Sequence, residues 1–339
     1  MMQRNDGNSL STQPDILVAE NLWKSYGSRR ALQGLSFSLK AGRVLGFLGP
    51  NGAGKTTSIR ILTTIMEPES GHFIVDGIGS EHPNKIRQRI GVLPELLGFP
   101  RQMTGIEYLT YFGQLYGKTG PEAREYGLKL LEDVGLQQRG KSLIGSYSHG
   151  MRQRIGIARA LVNQPVVVFL DEPTLGLDPR GQQELLELIQ HIARDQNAGV
   201  VLCSHLLSEV EGVCDDVVIL NLGQIVAKGT VAEVIEQVQK NVLLNYTLRV
   251  QILPQHDSKV QDVLKTLPFI SSVDPVNETE GLFRIRIAES DGGAVSDPYQ
   301  INNKVLSALI NENIPIVRFE AEGGKLQDVF LQLTEDTIK

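Results

Sequence analysis

The feature that most constrains this chain is Gly49-Pro50-Asn51-Gly52-Ala53-Gly54-Lys55-Thr56-Thr57. It stands between a short apolar run, Arg43 to Leu48, and a segment of helical periodicity, Thr56 to Ile65. A glycine-rich loop joining a buried strand to a helix is the context that makes the phosphate-binding loop pattern meaningful. The glycines let the backbone wrap closely, so that N–H groups and the helix N-terminus point at phosphates while Lys55 neutralises the outer ones. Thr56 is placed to hold Mg²⁺ through its hydroxyl. The bland alternative, a glycine-rich turn that merely starts a helix, leaves Gly54-Lys55-Thr56 unexplained.

At 339 residues the chain exceeds what one core usually covers, and one large and one small domain are expected. A net charge of -6 argues against nucleic acid as a partner, because phosphate contacts demand a basic surface. The two cysteines, Cys203 and Cys214, lack metal-ligand spacing and read as free thiols of a reducing cytoplasm. The opening MMQRNDGNSLSTQPD has no apolar signal core, and no later apolar run approaches the roughly 18 to 20 residues of a spanning helix.

Ile16 to Tyr26 and Ala31 to Leu39 read as strands about a turn at Gly27 to Arg30. Pro100 to about Gln138 reads as a helical insert. Val166 to Leu170 and Gly199 to Leu202 are wholly apolar, as strands of a parallel sheet are, and Asp216 to Ala227 reads as a hairpin through Asn221-Leu222-Gly223. The character changes near Asn241. From there a strand at Leu248 to Leu253, a helix at Val260 to Leu267, a strand pair across Asn277 to Ile287, a helix at Ile301 to Asn311 and a strand at Ile314 to Glu320 make a βαββαβ order. Glu289 to Pro298 is expected to be a loop and Lys325 to Thr334 a last amphipathic helix. The boundaries are therefore a tail at 1–15, a main domain at 16–240 and an accessory α+β domain at 241–339.

The run Val166 to Leu170 ends in Asp171-Glu172-Pro173. Acids at the tip of a buried strand are costly unless they serve an ion or a reaction. Asp171 fits a ligand of Mg²⁺ and its water shell, and Glu172 fits the general base that polarises a water in line with a γ-phosphate. Taken alone the pair could also be an N-cap; beside a full phosphate loop the catalytic reading is preferred. His205 ends another apolar strand, and its position favours a γ-phosphate sensor that also holds the water, although a lone histidine is more often structural.

Upstream of the acids stands Tyr147-Ser148-His149-Gly150-Met151-Arg152-Gln153, which resembles the signature of ABC ATPases. Thr174-Leu175-Gly176-Leu177-Asp178-Pro179 looks like the family's D-loop and Cys203-Ser204-His205 like its switch histidine, in matching order from about Ile16 to Thr230. The resemblance implies a P-loop NTPase fold of the ABC ATPase type, with an antiparallel β subdomain and helical insert, plus a small C-terminal ferredoxin-like α+β domain. It implies ATP with Mg²⁺ as the cofactors and a head-to-tail homodimer in which each ATP lies between the phosphate loop, Gly49 to Thr57, of one subunit and the signature of the other. Ser148 and Gly150, with Asp178 nearby, then meet the partner's nucleotide. Tyr26 matches the position that stacks on adenine, though a tyrosine at a strand end is otherwise a plain surface residue.

Two departures stand out. His149 and Met151 replace the usual Gly and Gln of the signature, while Ser148 and Gly150 are kept. After Ile90 to Pro94 the family's Gln is Glu95 here, a carboxylate that can ligate Mg²⁺ but adds negative charge beside the γ-phosphate; as a bland alternative it is a solvated loop acid. The insert, with Met103 to Tyr116, corresponds to the region that docks on membrane subunits, ordinary helix packing being the alternative. The resemblance therefore implies the ATP-hydrolysing subunit of an ABC transporter, more similar to exporters, held at the cytoplasmic face of the membrane by a separate permease. The alternatives are a soluble ABC ATPase that remodels ribosomes or DNA, which usually has tandem domains or a coiled-coil insert, and a P-loop kinase or GTPase, which leaves the signature unexplained.

Overall fold

The computed structural model describes residues 14–95, 98–204, 206–242, 247–253, 257–277, 281–287 and 298–321. The tail before residue 14, His205, most of the loop expected at 289–298 and the helix expected at 325–334 lie outside the described residues. The chain divides into two compact units, Met1–Thr230 and Val231–Lys339, ahead of the 240/241 boundary read from the change in character.

In the first unit, β1 (Asp15–Tyr26) and β2 (Arg29–Lys40) pair antiparallel, followed by β3 (Val44–Leu48) and α1 (Lys55–Leu62). Then come β4 (Ser70–Val75), β5 (Ile78–Gly79), α2 (Pro83–Arg87) and β6 (Ile90–Leu93). Next are α3 (Gly105–Leu115), α4 (Gly120–Asp133), α5 (His149–Leu161), β7 (Val167–Asp171), α6 (Pro179–Asp195), β8 (Gly199–Cys203), α7 (Leu207–Val213), β9 (Asp216–Asn221) and β10 (Gln224–Thr230). Two sheets result: an antiparallel one ordered β2-β1-β4-β5 and a larger one ordered β10-β9-β3-β8-β7-β6. In the larger sheet all neighbours run parallel except β10, which returns antiparallel on β9.

The parallel arrangement explains the apolar runs. Every residue of β3, β7 and β8 is buried, because the sheet is covered on both faces. On one face Leu109, Leu130, Ile155, Leu161 and Ile189, from the helices, pack on Val168, Leu170, Val200 and Leu202. On the other, Leu17, Leu35, Phe37 and Ile61 pack on Phe47, Phe169 and Val201, with the Phe37 and Phe47 rings edge to face at 5.0 Å. The helical insert starts cleanly. Thr104 and Thr119 each accept a hydrogen bond from the backbone N–H of Glu107 and Glu122, whose carboxylates reach back to the threonine N–H. Those donors hold both carboxyls below their usual range.

The second unit contains α8 (Val231–Val242), β11 (Thr247–Ile252), α9 (Asp257–Lys265), β12 (Ile270–Asn277), β13 (Leu282–Ile287), α10 (Pro298–Asn311) and β14 (Ile316–Ala321). Its antiparallel sheet is ordered β12-β13-β11-β14 and buries Leu248, Val250, Phe283 and Ile285 against Val260, Leu264, Val305 and Leu309. This is the ferredoxin-like arrangement.

Candidate functional site

The phosphate loop hangs between the end of β3 and the start of α1, in the middle of the large sheet. Its glycines are needed where the backbone leaves the region open to other residues. Gly54 has φ +112 and a Cβ there would lie 2.6 Å from the Ala31 carbonyl oxygen; Gly49 has φ +158 and its Cβ would meet the Leu220 carbonyl oxygen at 2.5 Å. The loop is anchored from outside as well. Gly223 N–H donates to the Ala53 carbonyl at 2.9 Å, and the Arg29 guanidinium donates to the Gly52 carbonyl at 3.3 Å. Lys55 is buried, and its ammonium donates to the Gly49 and Pro50 carbonyls. The cation is thus held inside the loop by the loop's own oxygens, while Thr56 beside it is exposed.

Parallel strands put their C-terminal ends on one edge of the sheet, where ligands of such sheets bind. Along this edge lie the phosphate loop after β3, Ser204 after β8, Asp171 and Glu172 at the end of β7, and Pro94-Glu95 after β6. Register brings them level: Leu170 pairs with Leu93 and Leu202, and Asp171 with Cys203. The electrostatics report the closeness. Burial first, then the carboxylates of Glu172 and Glu95, push Asp171 up to about 6, against the opposing pull of Lys55 and Arg60. Residues from three distant stretches of the chain, 55–60, 95 and 171–172, therefore meet in one field.

Glu172 occupies the left-handed region at φ +49, unusual for a residue with a long side chain, and its N–H donates to the Cys203 carbonyl at 3.0 Å. Strain of this kind is tolerated where the surroundings fix a side chain for use. Beside it, Ser204 is buried; its hydroxyl accepts from Leu206 N–H at 3.0 Å and donates to the buried Glu209 carboxylate at 2.7 Å. These contacts hold Ser204 and Leu206 in place; His205 itself lies outside the described residues.

Ser148 caps α5, accepting from Met151 N–H at 3.3 Å, and Asp178 caps α6, accepting from Gly181 N–H at 2.9 Å. Ser148 is exposed and Gly150 half-buried; with Met151 and Leu177 they line one cleft. Tyr26 is 46% exposed at the end of β1, its hydroxyl donating to the Met66 sulfur at 3.2 Å. Sequence reasoning missed Arg29 and Arg60. Arg29 is visible only as a charge in the turn after Tyr26, and Arg60 only as an exposed position of α1. The two cysteines are free thiols and Cys203 is fully buried, so burial raises its pKa and leaves it unreactive.

The donor set suits a hard cation held mainly by phosphates and water. Excess carboxylate charge faces the loop, yet among the described residues no three His, Cys, Asp or Glu side chains form a metal cage. Among those residues, no helix is long and apolar enough to cross a membrane.

A family model described as ABC transporter matches residues 32–175. The chain is 31% identical over 331 residues to the linearmycin resistance ATP-binding protein of Bacillus subtilis (strain 168), covering 96% of this chain and all of that protein. It is 33% identical to the daunorubicin/doxorubicin resistance ATP-binding protein of Streptomyces peucetius, covering 96% of this chain and 94% of that protein. Among solved structures it resembles cbiO1 from Clostridium perfringens, described as part of an ABC transporter complex. The TM-score is 0.60 at 28% identity, over 68% of this chain and 95% of that one.

Proposed function

The chain belongs to the ABC transporter ATP-binding family and is an ATPase subunit of such a transporter, and from that premise we propose how its residues bind and hydrolyse ATP. The observation that carries the reading is the convergence at the sheet edge, where Glu172, Glu95 and Lys55 all act on the buried Asp171 carboxyl.

Nucleotide enters with its β- and γ-phosphates in the loop Gly49 to Thr57. Lys55 exchanges the Gly49 and Pro50 carbonyls for phosphate oxygens, a swap that replaces neutral acceptors by charged ones and so favours the ligand. Thr56 and Asp171, with Glu95 close by, would hold Mg²⁺, which would neutralise charge on the phosphates. Glu172 accepts the proton of the attacking water, and His205 holds that water in line. Tyr26 stacks on the adenine. Ser148 and Gly150, at the start of α5, complete the γ-phosphate site of a second subunit, with Asp178 beside it, in a head-to-tail homodimer.

The permease is a separate membrane-spanning subunit, and the chain works at the cytoplasmic face of the membrane through it. The exposed Tyr111, Leu115 and Tyr116 of the helical insert support docking there. Relatives named for drug resistance support outward transport. They do not favour the alternative of a soluble remodeller of ribosomes or DNA.

Glu172→Gln tests the reading, because the amide keeps shape and loses basicity. ATP binding is expected to persist while turnover falls by about a hundredfold or more, as removal of a general base does. Lys55→Ala is expected to weaken nucleotide binding itself in a titration. Near-normal turnover in Glu172→Gln would remove that residue from its role.

A further inference from the structure

The signature position occupied by His149 has a side chain where the family's usual glycine has none, and that side chain has a partner. Its Nε2 lies 2.8 Å from the Leu175 carbonyl oxygen. A carbonyl only accepts, so Nε2 carries the hydrogen and donates it. Gly176, the next residue, is in the left-handed region at φ +77, and a Cβ there would lie 3.3 Å from the same nitrogen. The turn thus presents its carbonyl to the ring and leaves room for it. The Leu175 N–H in turn donates to the Glu172 carbonyl at 3.2 Å, and Leu177 N–H to Thr174 at 3.1 Å.

A continuous path of hydrogen bonds therefore runs from Glu172 through Leu175 to His149, the residue bonded to Ser148. A glycine at 149 leaves the path open between Leu175 and α5. We infer that His149 is a positioning residue that fastens the start of α5 to the 174–178 turn, so that Ser148, Asp178 and Glu172 hold their relative places as one block. The inference rests on the proposed roles of those residues in ATP hydrolysis. The ring is exposed in the single chain, and closure of a second subunit over Ser148 would dry the bond and strengthen it.

The test compares His149→Gly, His149→Gln and the parent protein, because a glutamine amide nitrogen can take the place of Nε2. Hydrogen exchange of the nucleotide-free protein reads the contact without any catalysis. Amides of 175–177 are expected to exchange about two- to tenfold faster in His149→Gly, in line with one lost hydrogen bond, and at the parent rate in His149→Gln. Steady-state ATPase assays read the consequence. A fall in kcat of about the same factor with KM for ATP unchanged, restored in His149→Gln, supports positioning. Unchanged exchange in His149→Gly overturns the contact, and faster exchange with unchanged kcat overturns its role. If the parent protein itself shows no turnover, the hydrolytic reading fails, and the exchange result still decides whether the contact exists.

Discussion

Asp171 ends β7 as a residue only 9% exposed, and burial, with the negative charge of Glu172 and Glu95, raises its pKa to about 6, a shift with a consequence opposite to that of most aspartates. An aspartate with a depressed pKa stabilises the fold above its unfolded value. Here the folded chain keeps the proton that the unfolded chain releases near 4, so the native state binds more protons between about 4 and 6. Stability then falls as pH rises through that window, and the penalty is fully present above it. From the roughly two-unit shift it amounts to about 3 kcal/mol. Asp171→Asn removes the penalty, and without nucleotide it should be more stable than the parent by about 1 to 3 kcal/mol at pH 7.5 and equal to it near pH 4. Urea denaturation at the two pH values checks this, and a difference that does not change with pH would show that the Asp171 carboxyl is not raised in the folded chain. The same residue is proposed to be required once ATP and Mg²⁺ bind, so the substitution trades function for stability.

The turn between β9 and β10 supports the phosphate loop through Gly223 N–H, and its two central residues, Leu222 at φ +47 and Gly223 at φ +81, form the mirror-image turn that right-twisted hairpins prefer. Leucine is a poor choice at the first of them, since its Cβ crowds the backbone in the left-handed region, and its side chain is 57% exposed and packs little. Leu222→Asn should stabilise the protein by about 1 kcal/mol in chemical denaturation while leaving the Gln33 bond to the residue 222 carbonyl in place. A loss of stability would mean that Leu222 is held by packing the exposure does not reveal. The hairpin itself was legible, because apolar runs met at Asn221-Leu222-Gly223. So were β3, β7 and β8, whose unbroken apolar character reflects cover on both faces. β4 escaped notice, since Ser70-Gly71-His72 exposes its first half and only Phe73 and Val75 are buried. β12 also began earlier than expected, at Ile270, because Ser271, Ser272 and Pro275 interrupt the apolar pattern of a strand on the sheet edge. Within the site, motifs announced the residues but not their meetings. The approach of Glu95 to Asp171 depends on β6 pairing with β7 in register, and that of His149 to Leu175 spans 26 residues of chain.

Considered as a whole molecule, one subunit carries both halves of what the proposed site needs, yet in a head-to-tail dimer it uses each half in a different site. In the proposed dimer the phosphate loop and acids of one copy face Ser148 and Gly150 of the other, so two variants that are each inactive should complement. Lys55→Ala disables the loop and Ser148→Arg places bulk and charge where the exposed α5 N-terminus would meet phosphate. A dimer of either variant alone has two damaged sites. A mixed dimer gathers both lesions into one site and leaves the other intact. Random pairing in an equal mixture makes about half of the dimers mixed, each with one of two sites working, and turnover should return to about a quarter of the parent level. Sedimentation with ATP should show nucleotide-dependent dimers in the mixture and few in either variant alone. Activity that stays at the level of the separate variants, with mixed dimers present, would place loop and signature in the same subunit's site, and the exposed Ser148 would then need another purpose.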